Sequence, residues 1–395
     1  MKPDFHRAPF IAIWETTRAC QLACRHCRAR AIRHRNPEEL TIDEAKDLID
    51  QIAAMGTPLL VLTGGDPMER DDLEDLVSHA HGRGLVVSIT PSATPKVTFE
   101  RMRSLKEAGL AHWAFSLDGS TPEIHDRFRG IRGVYDLTMR CIADLHRLDI
   151  PLQINTTVSQ YNVADLPSIA ERVRALGAIR WSVFFLVPTG RARLADCLSP
   201  AEHETVLEWL LELADHVPYD IKTTEGPQIR RLEVQRARVR AALEAAGGAV
   251  APSAPTSTRK DSHGVRRSEV PVWDGNGFIF VSHTGDVYPS GFLPLAVGNV
   301  RKAGLADIYR TSDTLCALRD PARLKGKCGY CEFRHICAGS RARAFAVTGD
   351  PLESDPFCTY IPDPRLAKEI PAPSGSGQGP SDLRKTATTT LGAEQ

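Results

Sequence analysis

Between residues 10 and 190, short apolar runs alternate with longer segments of helical spacing, and this alternation restricts the fold more than any other feature of the chain. The apolar runs are Phe10–Trp14, Leu59–Leu62, Leu85–Ile89, His112–Leu117, Leu152–Val158 and Trp181–Val187. After the first, Ile42, Ala45, Leu48, Ile49 and Ile52 share one helical face, with Thr41 and Glu44 as a capping box and Gly56 as a stop. Leu166, Ile169, Ala170, Val173 and Leu176 make another apolar stripe, closed by Gly177, and Ser199, Pro200 and Glu202 open a further helix. Six such units in series predict an α/β fold with a parallel sheet. A doubly wound dinucleotide fold would place a G-x-G-x-x-G turn after its first strand, and the chain has none there. A closed barrel needs eight units. The expectation is therefore a partial, laterally open (β/α)6 barrel of TIM type with chemistry at the C-terminal ends of its strands.

The predicted organisation is a barrel core over 1–195, a helical extension over 196–246 and a flexible linker over 247–270, where Pro, Ser, Gly and charge accumulate. A small Cys-rich domain over 271–364 and a tail over 365–395 follow. Beyond Pro371 the tail has almost no large apolar residues, so it is expected to be disordered. Lysine plus arginine and aspartate plus glutamate both number 49, a balance that gives no reason to expect nucleic acid or anionic lipid as partner. No apolar run is long enough to span a bilayer and the first residues carry no signal-peptide core, so a cytoplasmic location is expected.

In a reducing compartment the ten cysteines are poor candidates for disulfides and better ones for metal ligation. Seven fall into two groups. Cys20-x3-Cys24-x2-Cys27 follows the first strand. Three thiolates can hold three irons of a [4Fe–4S] cube and leave the fourth open to a chelating molecule, whereas structural zinc wants four protein ligands. Cys328-x2-Cys331-x5-Cys337, with Cys358 twenty residues on, supplies four thiolates. Their spacing suits a zinc knuckle or a fully ligated [4Fe–4S] cluster equally. Cys141 falls on the apolar side of a helix and reads as core; Cys197 and Cys316 suggest no role.

The C-x3-C-x2-C loop after the first strand of a six-unit barrel resembles the signature of the radical S-adenosylmethionine (SAM) superfamily. The resemblance implies that SAM chelates the open iron, and that one electron cleaves it to methionine and a 5′-deoxyadenosyl radical, which takes a hydrogen atom from the substrate. It places His26 against the cluster and the SAM adenine as packing. Gly64-Gly65-Asp66, after the second strand, resembles the family's GGE turn for the SAM amino group, with aspartate in place of glutamate. By the same resemblance, Ser116, Asp118 and Asn155 are candidates for the SAM ribose and carboxylate. An arginine of His125–Arg129 is a further candidate for the carboxylate, although a solvated helix face is the commoner fate of such residues.

The C-terminal cysteines are similar to the SPASM extension of many radical SAM enzymes, which in full form carries two auxiliary clusters. Ser290 and Arg341 stand where two of its cysteines would be. This implies one auxiliary [4Fe–4S] cluster on Cys328, Cys331, Cys337 and Cys358, suited to electron transfer. The single-cluster pattern is similar to the haem and haem d1 branch, which acts on propionates of iron tetrapyrroles. The implied partners are that small molecule and a flavodoxin- or ferredoxin-like electron donor. A maturase of a ribosomally made peptide is the alternative; its usual N-terminal peptide-binding domain is not expected, because the first strand starts by about residue 10. A non-catalytic iron–sulfur carrier would have little use for a barrel. No residue stands out as a substrate ligand: His283, His263 and Tyr288 are candidates, and a lone histidine more often packs.

Overall fold

A computed structural model describes residues 3–246 and 270–368. The expected linker (apart from residue 270), the tail beyond residue 368 and His263 lie outside the described residues.

Strands form where the apolar runs stand: β1 (Ile11–Glu15), β2 (Leu59–Thr63), β3 (Val86–Ile89), β4 (His112–Ser116), β5 (Leu152–Val158) and β6 (Arg180–Phe185). They pair in chain order and all run parallel. The crossovers are α1 (Ile42–Ala54), α2 (Leu73–Gly82), α3 (Phe99–Glu107), the pair α4 (Pro122–Arg129) and α5 (Val134–Arg147), and α6 (Leu166–Ala175). At the start of α1 the Thr41 hydroxyl accepts from the Glu44 amide at 3.3 Å, and the Thr41 amide donates to the Glu44 carboxylate at 2.9 Å. Ala45, Leu48, Ile49 and Ile52 are buried beneath it, the face the spacing predicts. Trp14, Trp113 and Trp181, one each on β1, β4 and β6, are fully buried. Each removes enough apolar surface from water to contribute about 4–6 kcal/mol of transfer free energy.

The sheet extends past these six strands on both sides. After α7 (Pro200–Leu213), β7 (Asp220–Thr224) adds in parallel to β6 and leads into α8 (Ile229–Ala245). The stretch read as purely helical thus contains a strand. Its sequence, Asp-Ile-Lys-Thr-Thr, gives no apolar run because an edge strand needs only one covered face, and Ile221 alone is buried. On the other side β8 (Phe278–Val281) pairs in parallel with β1, and β9 (Asp286–Tyr288) and β10 (Gly298–Asn299) continue antiparallel. Among the described residues this is one ten-stranded sheet, ordered β10-β9-β8-β1-β2-β3-β4-β5-β6-β7, and it does not close. The chain then continues through α9 (Leu305–Thr311), which packs on α1, α10 (Asp313–Arg319), α11 (Gly326–Tyr330) and α12 (Arg341–Thr348).

Burial alternates along the strands in a way that locates the open space. Leu60 and Leu62 of β2 and Val87 and Ile89 of β3 are fully buried, while Leu59, Val61, Thr63, Val86 and Ser88 between them are only half-buried. A closed barrel fills that second face with layers of side chains. Here it stays partly exposed.

Candidate active site

The loop after β1 folds back so that the Cys20 amide donates to the Ile32 carbonyl at 2.9 Å and the Ile32 amide to that of Arg18 at 3.0 Å. This sets Cys20, Cys24 and Cys27 beyond the C-terminal end of β1, with Cys24 near enough to both others for their charges to interact. Backbone amides reach two of the sulfurs: Leu22 donates to Cys20 Sγ and Ala31 to Cys27 Sγ, both at 3.4 Å. Arg129 Nη1 donates to Cys24 Sγ at 3.7 Å. Burial pushes the Cys20 thiol up to about 12 and raises that of Cys24 as well. For Cys27 burial also acts upward, but the Ala31 amide and the Arg191 guanidinium outweigh it and lower the thiol. Two of the three sulfurs would thus stay protonated unless a metal's charge replaced the proton, as coordination does. The donor set is soft, desolvated and supplied with N–H donors to sulfur, the chemistry an iron–sulfur cluster uses.

The turn after β2 is pressed against this loop. The Gly65 amide donates to the Thr17 carbonyl and the Asp66 amide to the Ala19 carbonyl, both at 2.7 Å. A Cβ on Gly65 would lie 2.4 Å from the carbonyl oxygens of Arg18 and Ala19, and one on Gly64 2.5 Å from that of Thr17. Glycine is required here because the cysteine loop occupies the space a side chain would take. The Asp66 carboxylate is fully buried. It accepts from the amides of Met68 and Ser92 at 3.1 and 3.3 Å and from the Thr94 hydroxyl at 3.1 Å, and burial pushes it up to about 7. Its side chain holds the turn.

Ser116, Asn155 and Ser182 lie side by side in register across β4, β5 and β6. Asp118, fully buried, sits one layer back: its carboxylate accepts from the Thr157 amide at 2.7 Å and pairs with Arg129 Nη2 at 2.5 Å. In the segment His125–Arg129 the solvated face is left to Arg127, which is exposed, while His125, Phe128 and Arg129 are buried. His125 Nδ1 accepts from the Asp118 amide at 3.0 Å, and Arg129 turns inward to Cys24. His26 stacks on Phe128 at 4.4 Å and 20°, held neutral by burial and by Arg129 and Arg191.

Three features of this site carry no pattern in the sequence. Gly190 follows β6, and a Cβ there would lie 2.4 Å from the Cys27 carbonyl. Arg191 donates its amide to that same carbonyl at 3.0 Å. Glu15, the last residue of β1, takes Arg28 Nη1 at 3.0 Å and His283 Nδ1 at 3.0 Å, while His283 Nε2 meets Asn36 Nδ2 at 3.3 Å. His283 is thus a buried strut tying β1 to the turn after β8, the packing role expected of a lone histidine. A glycine and charged residues outside any helical or strand repeat leave no periodic trace; only the post-strand position could have drawn attention to them.

The four C-terminal cysteines come together in a second place. With Gln228, Arg231, Phe333 and Tyr360, Cys328, Cys331, Cys337 and Cys358 line a pocket of about 330 Å³, its open mouth included. Burial pushes Cys337 up to about 12 and Cys331 to about 11, and raises Cys358. Asp355, fully buried, receives Arg343 at 2.9 and 3.1 Å, Gln228 Nε2 at 2.6 Å and the Ser340 amide at 2.8 Å. It locks the cysteine segment to the start of α8.

An unclosed, mostly parallel sheet, a three-cysteine loop at the end of its first strand and a four-cysteine pocket define the class: the chain belongs to the radical SAM superfamily, whose family model matches residues 14–173. Its cofactors are a [4Fe–4S] cluster and SAM. The chain is 39% identical over 90% of its length to the AdoMet-dependent heme synthase of Methanosarcina barkeri, of which the match spans 97%. It is 38% identical over 91% of its length to the protein of the same name from Oleidesulfovibrio alaskensis, of which 89% is spanned. Among solved structures, SuiB of Streptococcus suis bound to S-adenosylmethionine shares the fold, with a TM-score of 0.67 at 14% identity over 90% of this chain and 78% of that one. No helix among the described residues is long and apolar enough to cross a membrane.

Proposed function

We propose that the chain removes a hydrogen atom from a propionate side chain of an iron tetrapyrrole, in the making of a haem-type cofactor. The observation that carries this reading is the match, over nine-tenths of the chain, to proteins named AdoMet-dependent heme synthase. Cys20, Cys24 and Cys27 would hold the SAM-binding cluster. With SAM bound, that cluster supplies a carbon radical strong enough to take hydrogen from an unactivated C–H bond. The chain's residues do the rest. The backbone of Gly64–Asp66 receives the SAM amino end, because the Asp66 carboxylate is committed to its own turn. Ser116 and Asn155, register partners across β4 and β5, would contact the ribose and carboxylate of SAM. Asp118 acts through Arg129. The half-exposed inner face admits a flat, bulky substrate that a filled barrel would exclude.

Loss of carbon dioxide from a propionate radical leaves a vinyl group and one electron. We assign its uptake to an auxiliary [4Fe–4S] cluster on Cys328, Cys331, Cys337 and Cys358. A zinc knuckle would draw its thiolates to within about 3.8 Å of one another around a single ion at 2.3 Å. Spacing alone suits either centre, and the similarity of these four cysteines to the single-cluster SPASM pattern is what favours the larger cube. The reducing equivalents for SAM cleavage come from a flavodoxin- or ferredoxin-like protein. All ten cysteines are free, which suits the reducing cytoplasm.

The test is anaerobic reconstitution with SAM, a strong reductant and iron-coproporphyrin, reading 5′-deoxyadenosine and tetrapyrrole mass. A substrate-dependent rise with loss of carbon dioxide and two hydrogens per propionate supports the proposal. Deoxyadenosine with an unchanged tetrapyrrole sinks the substrate and directs attention to peptides. No deoxyadenosine from a protein loaded with iron at both sites sinks the chemistry.

A further inference from the structure

Arg341, in one of the two places where the SPASM pattern has cysteine, is fully buried beside the four-cysteine pocket. Its guanidinium donates to the carbonyls of Gly339 at 3.3 Å, Pro351 at 3.0 Å and Glu353 at 2.7 Å, and to Cys328 Sγ at 3.8 Å. Three acceptors are neutral and the fourth is sulfur. Among the described residues Arg341 forms no ion pair, and Asp350, the carboxylate that feels its charge, is committed to Lys325 at 2.5 Å. Arg129, the corresponding arginine at the first cysteine group, differs: it also donates to a cysteine sulfur, but Asp118 offsets its charge at 2.5 Å. A buried cation without a counter-charge costs several kcal/mol, so the Arg341 site calls for an anion. The thiolates around a metal cluster provide one. The backbone is shaped to keep the two in contact, since a Cβ on Gly339, at φ +67°, would lie 2.5 Å from Arg341 Nη2 and 3.4 Å from Cys328 Sγ.

We propose that Arg341 sets the reduction potential of the auxiliary site, its uncompensated charge and its N–H on Cys328 favouring the state with one more electron. This rests on the reading of Cys328, Cys331, Cys337 and Cys358 as cluster ligands. In the redox step the bond to the carboxyl carbon breaks, the vinyl double bond forms, and the single electron left over enters the auxiliary site without a proton. That added negative charge is what Arg341 stabilises. Hydrogen bonds to cluster sulfurs and local charge are established levers on such potentials.

The test uses the full chain with Cys20, Cys24 and Cys27 replaced by alanine, so that about four irons per chain remain and one cluster gives the signal. In that background Arg341 is compared with Arg341→Met and Arg341→Lys by redox titration followed by electron paramagnetic resonance. At a fixed poise the Met variant should show a reduced-to-oxidised ratio about tenfold lower, equivalent to about 59 mV for one electron. The Lys variant should fall between, because it keeps the charge but not the planar fork. Equal midpoints at equal iron content would overturn the proposal. If the Met variant sheds its iron, the Lys variant decides alone: a lower midpoint supports, an unchanged one overturns. If the chain with Arg341 intact binds zinc or no iron, the four-cysteine reading fails first and takes this proposal with it.

Discussion

At the scale of single residues, charge placement around the cysteines matters as much as the cysteines. Cys-x3-Cys-x2-Cys is legible because cysteine spacing on a short loop is a one-dimensional pattern. Arg129 and Asp118 are eleven positions apart, and nothing in that spacing shows that they meet behind Cys24. Removing one member of a buried pair strands the other charge, at a cost of about 3–5 kcal/mol. Asp118→Asn should therefore lower unfolding free energy by about that amount in denaturant titrations; a loss below 1 kcal/mol would show that the pair is well solvated. His203 allows a prediction on pH. Its ring lies 4.3 Å from that of Phe185, and burial, with Arg343 nearby, pushes it down to about 3. A depressed folded value means the contribution is complete above about pH 6.5, the unfolded value, and is lost as pH falls toward 3. Between pH 7 and 5.5 the wild type should lose more stability than His203→Phe, by at most about 1.4 kcal/mol per pH unit. Parallel curves for the two proteins would exclude the histidine as the source.

At the scale of elements, packing of loop on loop decides where substitution is tolerated. The Gly64–Asp66 turn and the Gly190 turn are both wedged against the cysteine loop, whereas a Cβ on Gly82, at the end of α2, would meet nothing within 4 Å. If both cysteine groups hold a cluster as proposed, Gly65→Ala should cost about half the iron, that of the first group, and leave the rest in place. Gly82→Ala should keep full iron and change stability by no more than about 1 kcal/mol. Iron and acid-labile sulfide assays on the two variants check this; full iron in Gly65→Ala would mean that the loop yields. The six inner strands and the capped helices were readable because a strand covered on one face and half-covered on the other still demands an apolar run, and a helix start demands its cap. β7 was hidden for the converse reason: an edge strand of Asp, Ile, Lys and two Thr satisfies only one side. Strand partners are equally silent, so Phe278–Val281 read as part of a separate unit although it lies against β1.

At the scale of the molecule, β1 is an interior strand only because β8 covers it. The C-terminal cysteine region does not hang from the barrel as an independent module; it supplies three strands to the same sheet and the helix α9 that packs on α1. A fragment ending at residue 246 would expose the β1 edge, a bare row of N–H and C=O groups next to the cysteine loop. It should elute as aggregate in size-exclusion chromatography where the full chain does not; a well-behaved monomeric fragment would show that the N-terminal part folds unaided. The same arrangement governs timing during synthesis. The ribosome adds about 5–20 residues per second, so roughly 13–53 seconds separate the emergence of β1 from that of its partner β8. Throughout that interval the three thiols of the Cys20–Cys27 loop sit beside a strand with one edge uncovered. Anything that shields that edge has to act on the nascent chain in that window, and protease sensitivity of stalled chains before and after residue 281 would measure how long it stays open.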